Sequence, residues 1–217
     1  MHESLPFDES QTPISTGELP SLLEVEQFLH EAYGHYRYDD DGAVADYIPA
    51  LANVDPDLFG ACIVGVGGNL AEVGDAVHPF SIQSVSKAFV FALVCDAVGH
   101  LDVLEKVGVN GTGLPFNSVM AIELNDDRTM NPMVNAGAMA TTSLAPGATA
   151  EEKWGFIQAG LSRFAGRPLE VDDDVYRSET ATNLRNQGIA HLLDGYGRIF
   201  ANPAAATDIY TRQCSLL

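Results

Sequence analysis

The feature that most constrains the fold is a nearly unbroken apolar helical segment in the middle of the chain. The residues SVSKAFVFALVCDAVG run from Ser84 to Gly99 and would place apolar side chains on nearly every side of a helix. Such a helix is typical of a core, so it predicts a central position with other elements packed around it. Its longest apolar run, Ala88 to Cys95, is far shorter than the roughly 18 residues of a membrane span. The sequence therefore predicts a folded protein without a membrane partner.

The charge balance and the cysteines narrow the possible partners and location. The 217 residues include 11 Lys and Arg against 30 Asp and Glu, a formal net charge of −19, which repels phosphate backbones and anionic lipids. We therefore expect no nucleic-acid partner. Cys62, Cys95 and Cys214 form no C-x-x-C pair and leave one thiol unpaired in any pairing, which favours the reducing cytoplasm. The six histidines lack metal-ligand spacing, so we predict no metal and no cofactor.

The first third of the chain predicts a lead-in, a helix and two strands. Residues 1–20 are acidic and polar without an apolar stretch, which predicts a flexible lead-in and not a signal peptide. Apolar residues recur at helical spacing from Ser21 to near Gly34. The segments LFGACIVGV and LAEVGD then predict two strands joined by a tight glycine turn.

Further helices are predicted in the second half. Thr149 and Glu152 have capping-box spacing at the start of an amphipathic helix. Another helix is predicted after about Thr182, and a last one from Ala204. Because no cap follows this last pattern before Leu217, the sequence predicts a chain that stops within a helix.

Ser84 and Lys87 are the first candidates for chemistry. At three residues apart at a helix entrance they share a face and can touch, whereas Ser86 points about 100° away from Lys87. A serine hydroxyl attacks only when a base takes its proton, and a lysine becomes that base when burial disfavours its ammonium. The alternative is a surface helix in which the serine caps and the lysine side chain reaches solvent, a common origin of S-x-x-K.

Four more polar residues lie where core packing does not require them. Tyr47 precedes a proline turn, Asn135 precedes a helix of small residues, and the spacing of Glu179 and Asn186 places both on one face of a helix. Each also has a structural interpretation. Asn135 could cap its helix, Glu179 and Asn186 could be surface groups, and Tyr47 could be a buried phenol with a backbone partner.

Six blocks of this sequence resemble the serine-dependent glutaminases of the bacterial and kidney type. They are GAVADYIPALANVDPDLFGACIVGV, GDAVHPFSIQSVSKAFVFAL, PFNSV, NPMVNAGAM, SETATNLRN and DIYTRQCSLL. The resemblance implies an α/β (α+β) fold similar to serine β-lactamases and penicillin-binding proteins, with an antiparallel sheet flanked by helices and a mainly helical subdomain. It covers residues 21–217, which we predict to be one glutaminase domain.

The resemblance also implies a function for single residues. Ser84 would be the acylated nucleophile and Lys87 its base, in the hydrolysis of L-glutamine to L-glutamate and ammonia. The residues implied around the glutamine are Tyr47, Gln83, Asn135, Glu179, Asn186 and Tyr210. The family further implies a homo-oligomer, either a dimer or a tetramer.

One departure from the family leaves two alternatives open. Members continue past the YTRQCSLL block with another active-site tyrosine and a K-S-G-V-A-G-G-like strand, and neither occurs here. The sequence therefore predicts a domain truncated at its C-terminus, for which an inactive scaffold is one alternative. The other is a different S-x-x-K acyl-serine hydrolase of the β-lactamase-like fold, which would require an S-x-N or Y-x-N element and a K-T-G strand.

Overall fold

The computed structural model describes residues 20–111 and 113–217, so the predicted lead-in lies outside the described residues except for Pro20. Two compact units are formed, one from 20–42 and 57–78 and the other from 43–56 and 79–217. The helices are α1 Leu22–Tyr36, α2 Ser86–Val98, α3 His100–Val107, α4 Val119–Leu124, α5 Asn135–Ser143, α6 Ala150–Ala165, α7 Asp173–Thr182, α8 Leu184–Gly195 and α9 Pro203–Cys214. The strands are β1 Gly60–Val64 and β2 Leu70–Gly74, and 3₁₀ turns span Leu51–Asn53 and Gln83–Val85. The predicted mixture of helices with an antiparallel sheet is confirmed.

The first unit contains the sheet and α1. β1 and β2 pair antiparallel, with Ala61 opposite Val73, as the sequence predicts. Tyr33 of α1 stacks on Phe59 at 5.4 Å between ring centroids. Gly74 ends β2 at φ +66, and a Cβ there would lie 2.3 Å from the Tyr33 ring, so only glycine permits this approach.

The second unit packs its helices around two apolar clusters. Val90 and Val94 of α2 meet Ile157 of α6 and Ile209 of α9 in the first cluster. The second cluster lies among α5, α8 and α9. Every residue of α5 is buried, because its small side chains let neighbouring helices approach closely. No helix in the described ranges has the length and apolarity to cross a bilayer.

α2 packs into the apolar core, but it is buried along one face only. Its buried residues Lys87, Val90 and Val94 follow helical spacing along one face, whereas Ala88 and Ala92 are exposed. The other exposed residues of the helix are Asp96 and Ala97, so its exposed positions are alanines and one carboxylate, which place little apolar area in water. The apolar pattern therefore identified a core helix but not which side is covered.

Helix boundaries after residue 170 differ from the predictions. α7 begins at Asp173, well before the predicted start near Thr182, because Asp172 caps it by accepting from the amides of Asp174 and Val175. Acidic residues in a first helical turn also favour the helix dipole. A break at Asn183 separates α7 from α8, so Glu179 and Asn186 do not share one helix face as predicted.

The prediction that the chain stops within a helix is also wrong. α9 ends at Cys214, with Ser215 as its C-cap. Leu216 then forms an isolated antiparallel bridge with Val171. The chain after α9 is therefore held by backbone pairing with the segment before α7, a contact between distant residues that a search for a local cap does not reveal.

Candidate active site

The entrance to α2 places Ser84 and Lys87 in opposite environments. Ser84 is exposed in the 3₁₀ turn, whereas Lys87 in the first turn of α2 is only 3% exposed. Gln83, directly before Ser84, has φ +47, a left-handed conformation that is uncommon outside glycine. The turn therefore presents the hydroxyl at the surface while α2 carries the amine into the core.

Lys87 makes two hydrogen bonds from its buried amine. Nζ donates to the carbonyl oxygen of Met133 at 3.1 Å and to Oδ1 of Asn135 at 2.8 Å. The ring centroids of Phe116 and Tyr210 lie 5.4 and 5.9 Å away. Burial lowers the pKa of Lys87, in the direction predicted from the apolar segment. These two acceptors use two of the three N–H bonds that an ammonium would have. In a neutral amine the third position on the nitrogen is occupied by the lone pair.

Asn135 connects the helices around this amine. Its Oδ1 accepts from Lys87 and from the Tyr210 hydroxyl at 3.3 Å, and its Nδ2 donates to Oδ1 of Asn186 at 2.9 Å. The cap of α5 is Val134, so the alternative that Asn135 caps its own helix is wrong. One amide therefore joins α2, α8 and α9.

Tyr210 is the most deeply buried phenol of this network. It is 2% exposed, and its hydroxyl donates to Oδ1 of Asn135. Burial raises the pKa of Tyr210 well above its usual value, so the phenol stays protonated at neutral pH. Among the described residues the Lys87 amine donates to Met133 and Asn135, and neither of these hydrogen bonds leads to the Ser84 hydroxyl.

Glu179 is a buried carboxyl near the same network. It is 7% exposed, and Oε2 has no hydrogen-bond partner among the described residues. Burial raises the pKa of Glu179 to about 7. Burial and the charge of Glu179 both raise the pKa of Tyr47. The segment that carries Tyr47 is held against α7, because the backbone N–H of Ala50 donates to Ser178 Oγ at 3.0 Å. A group with a positive charge would supply the missing partner of Glu179.

The side chain of Gln83 makes its hydrogen bond outside this network. Its Nε2 donates to Ser81 Oγ at 3.0 Å, and the link to Ser84 is the peptide bond. Of the other predicted residues, Lys87, Asn186 and Tyr210 bond to Asn135. Tyr47 and Ser84 are exposed, and Tyr47 is linked to the site by the charge of Glu179.

Sequence reasoning missed several groups that surround the amine. The carbonyl of Met133 gives no side-chain signal, although the residue lies in the NPMVNAGAM block. Phe116 lies in the PFNSV block, and its carbonyl oxygen accepts from the backbone N–H of Asn135 at 2.9 Å. The sequence suggests for Cys214 only a possible disulfide partner. In the structure this thiol is buried next to the Ser86 hydroxyl, and burial raises its pKa to about 12. Within the described ranges, no three His, Cys, Asp or Glu side chains are grouped to hold a metal ion.

Comparison of the sequence with known proteins gives consistent similarities. The model of a family described as Glutaminase matches residues 42–217. The chain is 52% identical over 216 residues to Glutaminase 2 of Yersinia pestis, with 98% of this chain and 64% of the relative covered. It is 47% identical over 197 residues to the glutaminase of Colwellia psychrerythraea, with 91% and 63% covered.

Solved structures show the same similarity in three dimensions. A probable glutaminase, ybaS, superposes with a TM-score of 0.88 at 40% identity, covering 91% of this chain and 64% of that one. A probable glutaminase from Bacillus subtilis complexed with 6-diazo-5-oxo-L-norleucine gives 0.77 at 29% identity, with 92% and 61% covered. The chain thus spans 61 to 64% of the length of these relatives.

Proposed function

The chain belongs to the glutaminase family, and from that premise we propose that it hydrolyses the side-chain amide of L-glutamine to L-glutamate and ammonia. The observation that carries the proposal is the buried amine of Lys87, which has acceptors at Met133 and Asn135 for two N–H bonds. A neutral amine has two N–H donors and one lone pair, so these acceptors suit it without a third. The lone pair is then available for the proton of a hydroxyl.

The proposed reaction uses Ser84 as nucleophile and Lys87 as base. The neutral amine takes the hydroxyl proton as Oγ bonds to the amide carbon of glutamine. The tetrahedral intermediate collapses, its C–N bond breaks, and the nitrogen leaves as ammonia with the proton returned by Lys87. Water then attacks the glutamyl ester, which releases glutamate and restores the Ser84 hydroxyl.

Substrate recognition is assigned by charge. The α-ammonium of glutamine would pair with Glu179, whose Oε2 has no partner among the described residues. The amide and carboxylate of glutamine require hydrogen-bonding side chains, which the remaining proposed binding residues supply. These are Tyr47, Gln83, Asn135, Asn186 and Tyr210.

The test is ammonia release from L-glutamine by this chain and by single variants. Ser84→Ala and Lys87→Ala should each lower kcat by about 10³-fold or more, because one removes the attacking oxygen and the other its base. Lys106→Ala is the matched control, since that lysine is partly exposed and pairs with Asp102 at 3.9 Å, away from the proposed site residues. Full turnover by Ser84→Ala would refute the mechanism, and no turnover by the unmodified chain would favour the inactive scaffold.

Three broader properties are proposed with the activity. We place the protein in the cytoplasm because Cys62, Cys95 and Cys214 are all free thiols, which persist in a reducing compartment. We also propose a homo-oligomer, dimer or tetramer, on the family resemblance, and a monomer mass by light scattering would reject it. Residues 21–217 are proposed to act as one glutaminase domain.

A further inference from the structure

A line of hydrogen bonds leads from the core to the carbonyl of Gln83, the residue before Ser84. The Ser86 hydroxyl donates to the carbonyl oxygen of Gln83 at 2.7 Å, and Nε2 of Gln213 donates to the Ser86 hydroxyl at 3.3 Å. The Thr142 hydroxyl donates in turn to Oε1 of Gln213 at 3.0 Å. Ser86, Gln213 and Thr142 are each 0% exposed. The line therefore runs from the core of the second unit to the residue that precedes the proposed nucleophile.

The direction of these bonds suggests a purpose beyond filling the core. Buried polar groups destabilise a fold unless they are hydrogen-bonded, and here each donor points to the next acceptor. Bonds aligned in this way polarise and strengthen one another. The last acceptor is the carbonyl of Gln83, which also accepts from the backbone N–H of Ser86. Both donors of Ser86 thus converge on one oxygen.

The orientation of that oxygen determines the orientation of Ser84. The C=O of Gln83 and the N–H of Ser84 belong to one planar peptide unit and point in opposite directions, since no described peptide bond is cis. A carbonyl held by the hydroxyl of Ser86 therefore fixes the direction of the Ser84 N–H. Gln83 has φ +47, a left-handed conformation that is unfavourable for a residue with a Cβ, so the turn would relax without a restraint.

The line also joins helices that carry proposed site residues. Ser86 adjoins Lys87 on α2, Gln213 lies on α9 with Tyr210, and Thr142 lies on α5. α5 begins at Asn135, so each of the three helices holds one member of the network around the amine. A shift of one helix would therefore be transmitted to the Gln83 carbonyl.

We propose that Ser86, Gln213 and Thr142 are positioning residues that hold the peptide between Gln83 and Ser84, and with it the Ser84 hydroxyl, in the orientation required for attack. They touch no reacting atom and act through Gln83. The proposal rests on the proposed function for its catalytic consequence. The restraint on the turn is a separate property that can be measured without turnover.

The variants are chosen to remove the line while keeping side-chain volume. Thr142→Val and Gln213→Met replace polar groups by apolar ones of similar size. Thr142→Ser keeps the hydroxyl and serves as the rescue variant. Thr141→Val is the matched control, because Thr141 is 1% exposed on the same helix and its hydroxyl donates to Gly137 O at 2.8 Å.

Three readouts separate positioning from stability. The first is the rate at which 6-diazo-5-oxo-L-norleucine labels Ser84, measured by mass spectrometry. In this reaction the diazo carbon takes the hydroxyl proton and bonds to Oγ as N₂ leaves. The second is hydrogen exchange of the peptide 80–89, and the third is the melting temperature.

We expect Thr142→Val and Gln213→Met to slow labelling of Ser84 about tenfold, because the turn loses the hydrogen bonds that hold it. Hydrogen exchange of the peptide 80–89 should become faster by a similar factor, for the same reason. Thr141→Val should lower the melting temperature about as much as Thr142→Val does. It should leave the rates of labelling and of hydrogen exchange near those of the unmodified chain. Thr142→Ser should restore both rates. The proposal is overturned if Thr141→Val changes the rates as much as Thr142→Val, or if Thr142→Val and Gln213→Met change neither.

Failure of the proposed function gives a different result. In that case the unmodified chain releases no ammonia and Ser84 takes no label. Exchange of the peptide 80–89 still responds to Thr142→Val but not to Thr141→Val if the positioning inference is right. An unchanged exchange rate would reject it independently of catalysis.

Discussion

At the scale of single residues, Glu179 links stability to the proposed binding of substrate. Burial raises the pKa of its carboxyl from 4.5 to about 7 in the folded state. The folded protein therefore holds the proton more tightly than the unfolded chain between these values, and stability falls as pH rises through this window. The difference between the two pKa values corresponds to a loss of about 3 kcal/mol in the free energy of unfolding at pH above 7. A bound ammonium would reduce this loss by pairing with the carboxylate.

Glu179→Gln should remove this pH dependence. We expect the free energy of unfolding of the unmodified chain to decline from pH 4.5 to 8, and that of the variant to decline less. At pH 8 the variant should be more stable by up to about 3 kcal/mol, because its amide carries no charge to bury. Urea denaturation across this range measures both curves. Glu170→Gln, at an exposed position, is the control, and parallel curves for Glu179→Gln and the unmodified chain would contradict the prediction.

At the scale of elements, the start of α5 shows how helix packing positions a backbone carbonyl in the site. A Cβ at Gly137 would lie 1.8 Å from the carbonyl oxygen of Asn131. Oδ1 of Asn131 accepts from the amides of Met133 and Val134 at 2.9 and 3.2 Å, which folds this loop against the helix. The Met133 carbonyl then faces the Lys87 amine. The absence of a side chain at Gly137 is thus a requirement of the site.

Gly137→Ala should displace the loop and destabilise the protein. The methyl group meets backbone that cannot rotate away, and overpacking of this kind costs about 1–3 kcal/mol. Gly155→Ala in α6 is the control, since a Cβ there has no atom within 4 Å and the helix should gain about 0.5–1 kcal/mol. Thermal denaturation compares the two. Equal melting temperatures for Gly137→Ala and the unmodified chain would show that the loop yields freely.

At the scale of the whole molecule, the formal charge of −19 opposes compactness. The ion pairs of the described ranges are mainly exposed side chains close in sequence, such as Arg177 with Asp173 at 3.3 Å. Pairs of this kind contribute little to stability. Repulsion among the unpaired carboxylates should therefore outweigh them.

The melting temperature should consequently rise with salt. Between 0.01 and 1 M NaCl the Debye length falls from about 30 to about 3 Å, which screens repulsion over most of the surface. Scanning calorimetry in NaCl and, as a control for specific ion binding, in KCl should give matching increases. A fall with salt would show that ion pairs dominate.

Much of the fold could be predicted because its signals are local. The capping box of Thr149 and Glu152, the glycine turn between β1 and β2, and the end of α2 at Gly99 all depend on neighbouring residues. The start of α7 was missed because VDDD reads equally as a polar loop or as a cap with an acidic first turn. Which of these forms is adopted depends on packing.

The sequence by itself determined most of the elements, the family and the candidates Ser84 and Lys87, since these follow from residue order and spacing. Only the tertiary structure decided that Asn135 joins Lys87, Asn186 and Tyr210 through one amide. It also decided that Gln213 bonds to the Ser86 hydroxyl and that Glu179 is buried without a hydrogen-bond partner for Oε2 among the described residues. These contacts join residues far apart in the chain, and their existence depends on how helices pack, which no local pattern specifies.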